Sequence, residues 1–243
     1  MDKTRHQSFD GLKTKSYIIG IDEVGRGPLA GPVVVCAVAI PRNHKPSTIA
    51  KQLPLRDSKR LTHTQRAAWV DAINNDPRIV RSIASTSPAI IDRINITQAA
   101  NRAATRALER LLATLPTPAR VEVYLDGGLF IKQNSKFEIR NLKTNTKKKY
   151  SAKFYDPKNN ARFDLTIETI IKGDETIPAI SLASIVAKEH RDTFMRRAHK
   201  IYPYYGFDRH AGYGTKAHIA AIKHNGASAI HRKSFLRKIT SDR

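Results

Sequence analysis

The sequence predicts an α/β fold, and three observations carry that expectation. Short β-forming runs recur at 17–21, 33–40, 79–85, 121–125 and 164–171. Between and after them lie segments with apolar residues at helical spacing, the clearest over 96–115. Acids stand where three of the runs end, namely Asp22 with Glu23, Asp126, and Asp174. Strand carboxyl ends are where open α/β sheets bind ligands.

The 243 residues can bury the core of one large domain. The expected organisation is a mobile N-terminal tail over 1–16, a single domain over 17–235 and a basic C-terminal tail over 236–243. Lys and Arg number 43 against 21 Asp and Glu, a net charge of +22 that favours a polyanionic partner without naming a reaction. The single cysteine, Cys36, excludes an intramolecular disulfide and sits in an apolar run. No signal-like apolar core opens the chain and no run approaches a membrane span, so a soluble cytoplasmic protein is expected.

The run 17–21 leads into Asp22 and Glu23, then Val24-Gly25-Arg26-Gly27-Pro28, then the run 33–40. Neighbouring acids on an extended strand point to opposite faces. A buried carboxylate needs a partner, and a cation is the simplest one; a plain surface turn is the alternative. Two glycines around Arg26 suit a tight loop gripping a phosphate or sugar. Thr62 opens a helix with Gln65 as its capping-box partner, just after Asp57-Ser58-Lys59. In the helix over 96–115, Arg102, Arg106 and Arg110 fall opposite the apolar stripe and read as a solvated face. Asp126-Gly127-Gly128 ends the fourth run, as a ligand-binding acid or a turn.

The segment 131–160 holds nine Lys and Arg against two acids, with four aromatics interleaved. It reads equally as a basic hairpin with Asn145 near its tip and as a flexible loop. The fifth run ends at Lys172-Gly173-Asp174, and a helix follows from Pro178 that carries Ser184, Lys188 and Asp192. The aromatic and glycine-rich stretch 202–218 reads as a packed corner before a last helix over 215–225.

The stretch IDEVGRGPLAGPVV resembles the signature of the ribonuclease HII (type 2 ribonuclease H) family. The likeness continues through DSK at 57–59, IDRINI at 91–96, YLDGG at 124–128, KGD at 172–174, the SxASIxAKxxRD pattern at 181–192, YPxYGFxxHxGYxTxxH at 202–218 and HRxSF at 231–235. It covers roughly 17–235 apart from the insertion at 131–160.

That resemblance implies a ribonuclease H-like fold, a mixed five-stranded sheet flanked by helices with a C-terminal helical portion. It implies an endonuclease acting on RNA–DNA hybrids and on ribonucleotide-containing duplex DNA, as a monomer, by two-metal-ion catalysis. Asp22, Glu23, Asp126 and Asp174 become the catalytic and metal-binding carboxylates, with Asp192 as a rival for the fourth place and a salt bridge as its preferred role. Such an all-oxygen donor set matches Mg²⁺ or Mn²⁺ over zinc. Gly25, Arg26 and Gly27 would sense the ribose 2′-hydroxyl, Tyr213 would stack on the sugar past the junction, and Lys59, Ser184 and Lys188 would contact substrate. Ala211 stands where the family often has lysine. A junction resolvase of the same broad fold, or a non-catalytic nucleic-acid binder, stays open as an alternative.

Overall fold

The computed structural model describes residues 15–44, 55, 58–116, 119–141 and 149–240. Seven strands form one mixed sheet: β1 (Lys15–Val24), β2 (Val33–Pro41), β3 (Val80–Thr86), β4 (Ala119–Asp126), β5 (Phe137–Asn141), β6 (Lys149–Asp156) and β7 (Ala161–Ile170), in the order β3-β2-β1-β4-β7-β6-β5. The central neighbours β1, β4 and β7 run parallel, and every other pair is antiparallel. The three parallel strands therefore deliver their carboxyl ends, and the acids there, to one edge of the molecule.

The sheet has two strands more than the expected five, because the basic segment is a hairpin built onto β7. Its strands alternate: Tyr150, Ala152 and Phe154 of β6 are buried while Lys153 and Tyr155 are exposed, the pattern of a half-buried antiparallel strand. The Phe137 and Phe154 rings pack with centroids 5.0 Å apart. Asn145, the expected tip, lies outside the described residues.

Both faces of β2 are buried, which is why 33–40 reads as an unbroken apolar run. Val33, Val35, Ala37 and Ala39 pack with Ala100, Ala103, Leu108 and Leu111 of α3 (Ile96–Leu112). Val34, Cys36, Val38 and Ile40 pack on the other side with Trp69 and Ile73 of α1 (His63–Asn75) and with Leu182, Ile185 and Val186 of α5 (Pro178–Ile201). The short helices α2 (Pro88–Ile94) and α4 (Gly173–Thr176) precede α3 and α5. The Thr62 capping box is present as the sequence implies.

A third cluster joins Ala30, Met195, Tyr205, Phe207, Ile222 and Leu236. It gathers α6 (Phe207–His210), α7 (Lys216–Asn225) and α8 (Lys233–Thr240) around the end of α5. Residues 236–240, expected as tail, are the second half of α8, held because Leu236 is buried. At the other end, Lys15 and Ser16 already belong to β1, and 1–14 lie outside the described residues. No described helix is long and apolar enough to cross a membrane.

Candidate active site

Strand alternation puts the two neighbouring acids on opposite faces, as expected. Asp22 pairs in register with Cys36, on the face covered by α5, and Glu23 with Val35, on the face covered by α3. Asp22 is 5 % exposed. Burial first, then the charges of Glu23 and Asp126, hold its carboxyl well above the usual carboxylate range. A hydrogen bond from Ser184 of α5 works against that rise. Since the Ser184 proton goes to Asp22, the Ser58 hydroxyl, 2.8 Å away, donates to Ser184 in turn. Asp22, Ser184 and Ser58 thus form one chain that ties the 3₁₀ turn Ser58–Arg60, ahead of α1, to the acid.

Glu23 is raised too, chiefly by burial, although Arg26 counters it by donating to Oε1 at 3.0 Å. Its other oxygen, Oε2, is buried without a partner. Asp126 closes β4, and its Oδ1 accepts the Gly173 amide at 2.8 Å. That bond brings α4 against the acid, with buried Asp174 next in the chain. Asp174 therefore sits in a helical turn beyond β7, not at the strand end itself.

Two buried carboxylates raised further by a neighbouring acid, one of them with an orphaned oxygen, fit a hard divalent cation with oxygen ligands. They do not form a closed ligand set: among the described residues no three His, Cys, Asp or Glu side chains are grouped as a metal site.

The Gly25-Arg26-Gly27 loop stands beside these acids. Gly25 has φ +89°, and a Cβ there would lie 2.3 Å from Arg191 Nε, so only glycine fits. A Cβ on exposed Gly27 would meet Tyr213 Cε1 at 3.8 Å, which places the half-exposed tyrosine ring across from the loop. The Leu29 amide donates to Gly212 O at 2.8 Å, fastening the Tyr213 segment to the loop.

Lys188 donates to Asp192 at 2.6 Å and Arg66 to the same carboxylate at 3.2 Å. Asp192 is thus an ion-pair partner, and Lys188 is engaged one helical turn from Ser184. Lys59 lies in the 3₁₀ turn Ser58–Arg60, its side chain outside the described residues. Ala211 takes the left-handed conformation, φ 48°, with its carbonyl bonded to Arg191.

Two residues emerge that sequence reasoning did not assign to the site. Arg191 donates to the carbonyls of Ala30, Pro32 and Ala211, and Arg232 to those of Gly25, Arg26 and Gly31. Both are fully buried. Their only sequence signal was membership of the RD and HRxSF motifs.

A family model described as Ribonuclease HII matches residues 19–238. A ribonuclease HII of Chloroherpeton thalassium is 41 % identical over 223 residues, 92 % of this chain and 91 % of that protein. One from Chlamydia pneumoniae is 38 % identical over 221 residues, 90 % of this chain and 83 % of that protein. Among solved structures, ribonuclease H2 from Pyrococcus horikoshii superposes with a TM-score of 0.62 at 22 % identity, covering 93 % of this chain and 98 % of that one, a likeness of fold. With the signature acids in place and the match running through the whole sheet and the C-terminal helices, this chain belongs to the ribonuclease HII family of metal-dependent endoribonucleases.

Proposed function

We propose that the protein hydrolyses the RNA strand of RNA–DNA hybrids and cuts on the 5′ side of single ribonucleotides in duplex DNA, leaving 5′-phosphate and 3′-hydroxyl ends. The observation that carries this reading is the burial of Asp22 and of Glu23 Oε2 near the charge of Asp126, beside the Gly25-Arg26-Gly27 loop. Asp22, Glu23, Asp126 and Asp174 would hold Mg²⁺ or Mn²⁺, which when bound supplies an activated water and stabilises the leaving 3′ oxygen.

The chain's own groups prepare that chemistry. Ser184 favours the ionised form of Asp22, and Arg26 occupies one oxygen of Glu23 while leaving the other without a partner. The loop reads the 2′-hydroxyl, the group that distinguishes RNA from DNA. Tyr213 packs on the sugar across from Gly27. Lys188 and Lys59 contact phosphate, and the net charge of +22 adds affinity that is independent of sequence and sensitive to salt. The protein acts as a cytoplasmic monomer, with the basic hairpin as an extension of its catalytic domain.

The test is cleavage of a DNA duplex carrying one ribonucleotide, with end analysis of the products. Cutting 5′ to the ribonucleotide in Mg²⁺ or Mn²⁺ supports the reading. Preference for branched DNA would indicate a resolvase, and binding without cleavage a non-catalytic role.

A further inference from the structure

We infer that Arg191 and Arg232 are positioning residues that preset the ribose-sensing loop from behind. This rests on the reading above, in which the Gly25-Arg26-Gly27 segment meets the ribose.

The two guanidiniums donate six hydrogen bonds, five of them to carbonyls between Gly25 and Pro32. Among the described residues neither has a carboxylate at ion-pair distance, and both are 0 % exposed. Burying an uncompensated charge is costly. Burial, reinforced by Arg191, pulls the Arg232 guanidinium down to about 9. An apolar side chain in either place would leave three carbonyls without their donor, so what each guanidinium secures is the orientation of those backbone groups.

The direction of the bonds shows what that orientation does. In a trans peptide the N–H of the next residue points opposite to the C=O. Because Arg232 turns the carbonyls of Gly25 and Arg26 inward, the amides of Arg26 and Gly27 face outward, on the side away from the guanidinium. Two donors are thereby aimed outward from the segment facing Tyr213. Such aim requires a planar fork that reaches several carbonyls at once, which lysine cannot reproduce. Gly25 completes the fit, since any Cβ there would collide with Arg191.

The experiment uses the full chain with the variants R191K and R232K. Affinity is measured in chelator for a DNA duplex with one ribonucleotide and for the same duplex in DNA throughout, beside the thermal midpoint of each protein. A purely structural role moves the midpoint alone. Positioning predicts that the folded variants lose most of the wild-type affinity ratio, by about tenfold, while general DNA affinity holds. A wild-type ratio retained in folded variants overturns the proposal, as does failure of both variants to fold, which would assign the pair to stability only. If R232K alone fails to fold, R191K decides, since it grips the far end of the same loop. Absence of any preference in the wild type would instead sink the ribose-reading itself, and the positioning role with it.

Discussion

Asp22 and Asp126 occupy the next rung after the last register pair of β1 and β4, Ile21 opposite Leu125. Parallel pairing therefore sets the two carboxylates side by side on the face covered by α5, where the charge of Asp126 helps to raise the Asp22 carboxyl. The sheet itself, more than any loop, fixes this half of the site.

Replacing Asp126 by Asn should abolish cleavage of a hybrid in Mg²⁺ while leaving binding within about threefold, since phosphate contacts elsewhere supply most affinity. Gel-based cleavage and binding assays check both halves. Normal cutting by the variant would remove Asp126 from the reaction.

Ser184→Ala deletes the hydroxyl that favours ionised Asp22. The Asp22 carboxyl then rises further, and the acid limb of the kcat/KM profile moves to higher pH. An unmoved limb would show that this carboxylate does not control the profile.

The C-terminal cluster should melt more easily in acid. His231 Nδ1 accepts from the Ser228 amide at 2.9 Å, His231 Nε2 meets His218 Nε2 at 3.0 Å, and His218 Nδ1 reaches Tyr213 O at 2.8 Å. Only neutral rings satisfy that chain. Burial and His218 hold His231 down to about 4 against an ordinary 6.5. The unfolded chain takes up the proton first, so stability is complete above about pH 6.5 and is lost as pH falls toward 4, by on the order of 2–3 kcal/mol. Thermal midpoints across that range, flattened in His231→Gln, give the measurement.

Gly20→Ala should destabilise the protein by about 1–3 kcal/mol, because its Cβ would lie 2.1 Å from the Ala179 carbonyl carbon at the start of α5. Urea unfolding reads the loss. A neutral substitution would mean that α5 can back away from β1.

Much of this was legible in the sequence. The five strand runs, the capping box and the acids ending β1 and β4 follow from local patterns, and the structure keeps them, while Asp174 moves from the expected strand end into the turn of α4. The hairpin was ambiguous because its exposed lysines mask the alternation that Tyr150, Ala152 and Phe154 carry. Arg191 and Arg232 were illegible for a different reason. Arginine usually signals a solvated surface, and their bonds to the β1–β2 loop join residues 159 to 207 positions apart, which no local period records.

Helix α5 is unbroken from Pro178 to Ile201. Its beginning rests on Gly20, its next turns touch Asp22, Arg191 holds the neighbouring loop, and Met195 enters the C-terminal cluster. The protein is thus not modular at this point. A chimaera that borrows its final forty residues from a relative would have to inherit the whole rod, or the exchanged parts would arrive out of phase with the acids they are meant to serve.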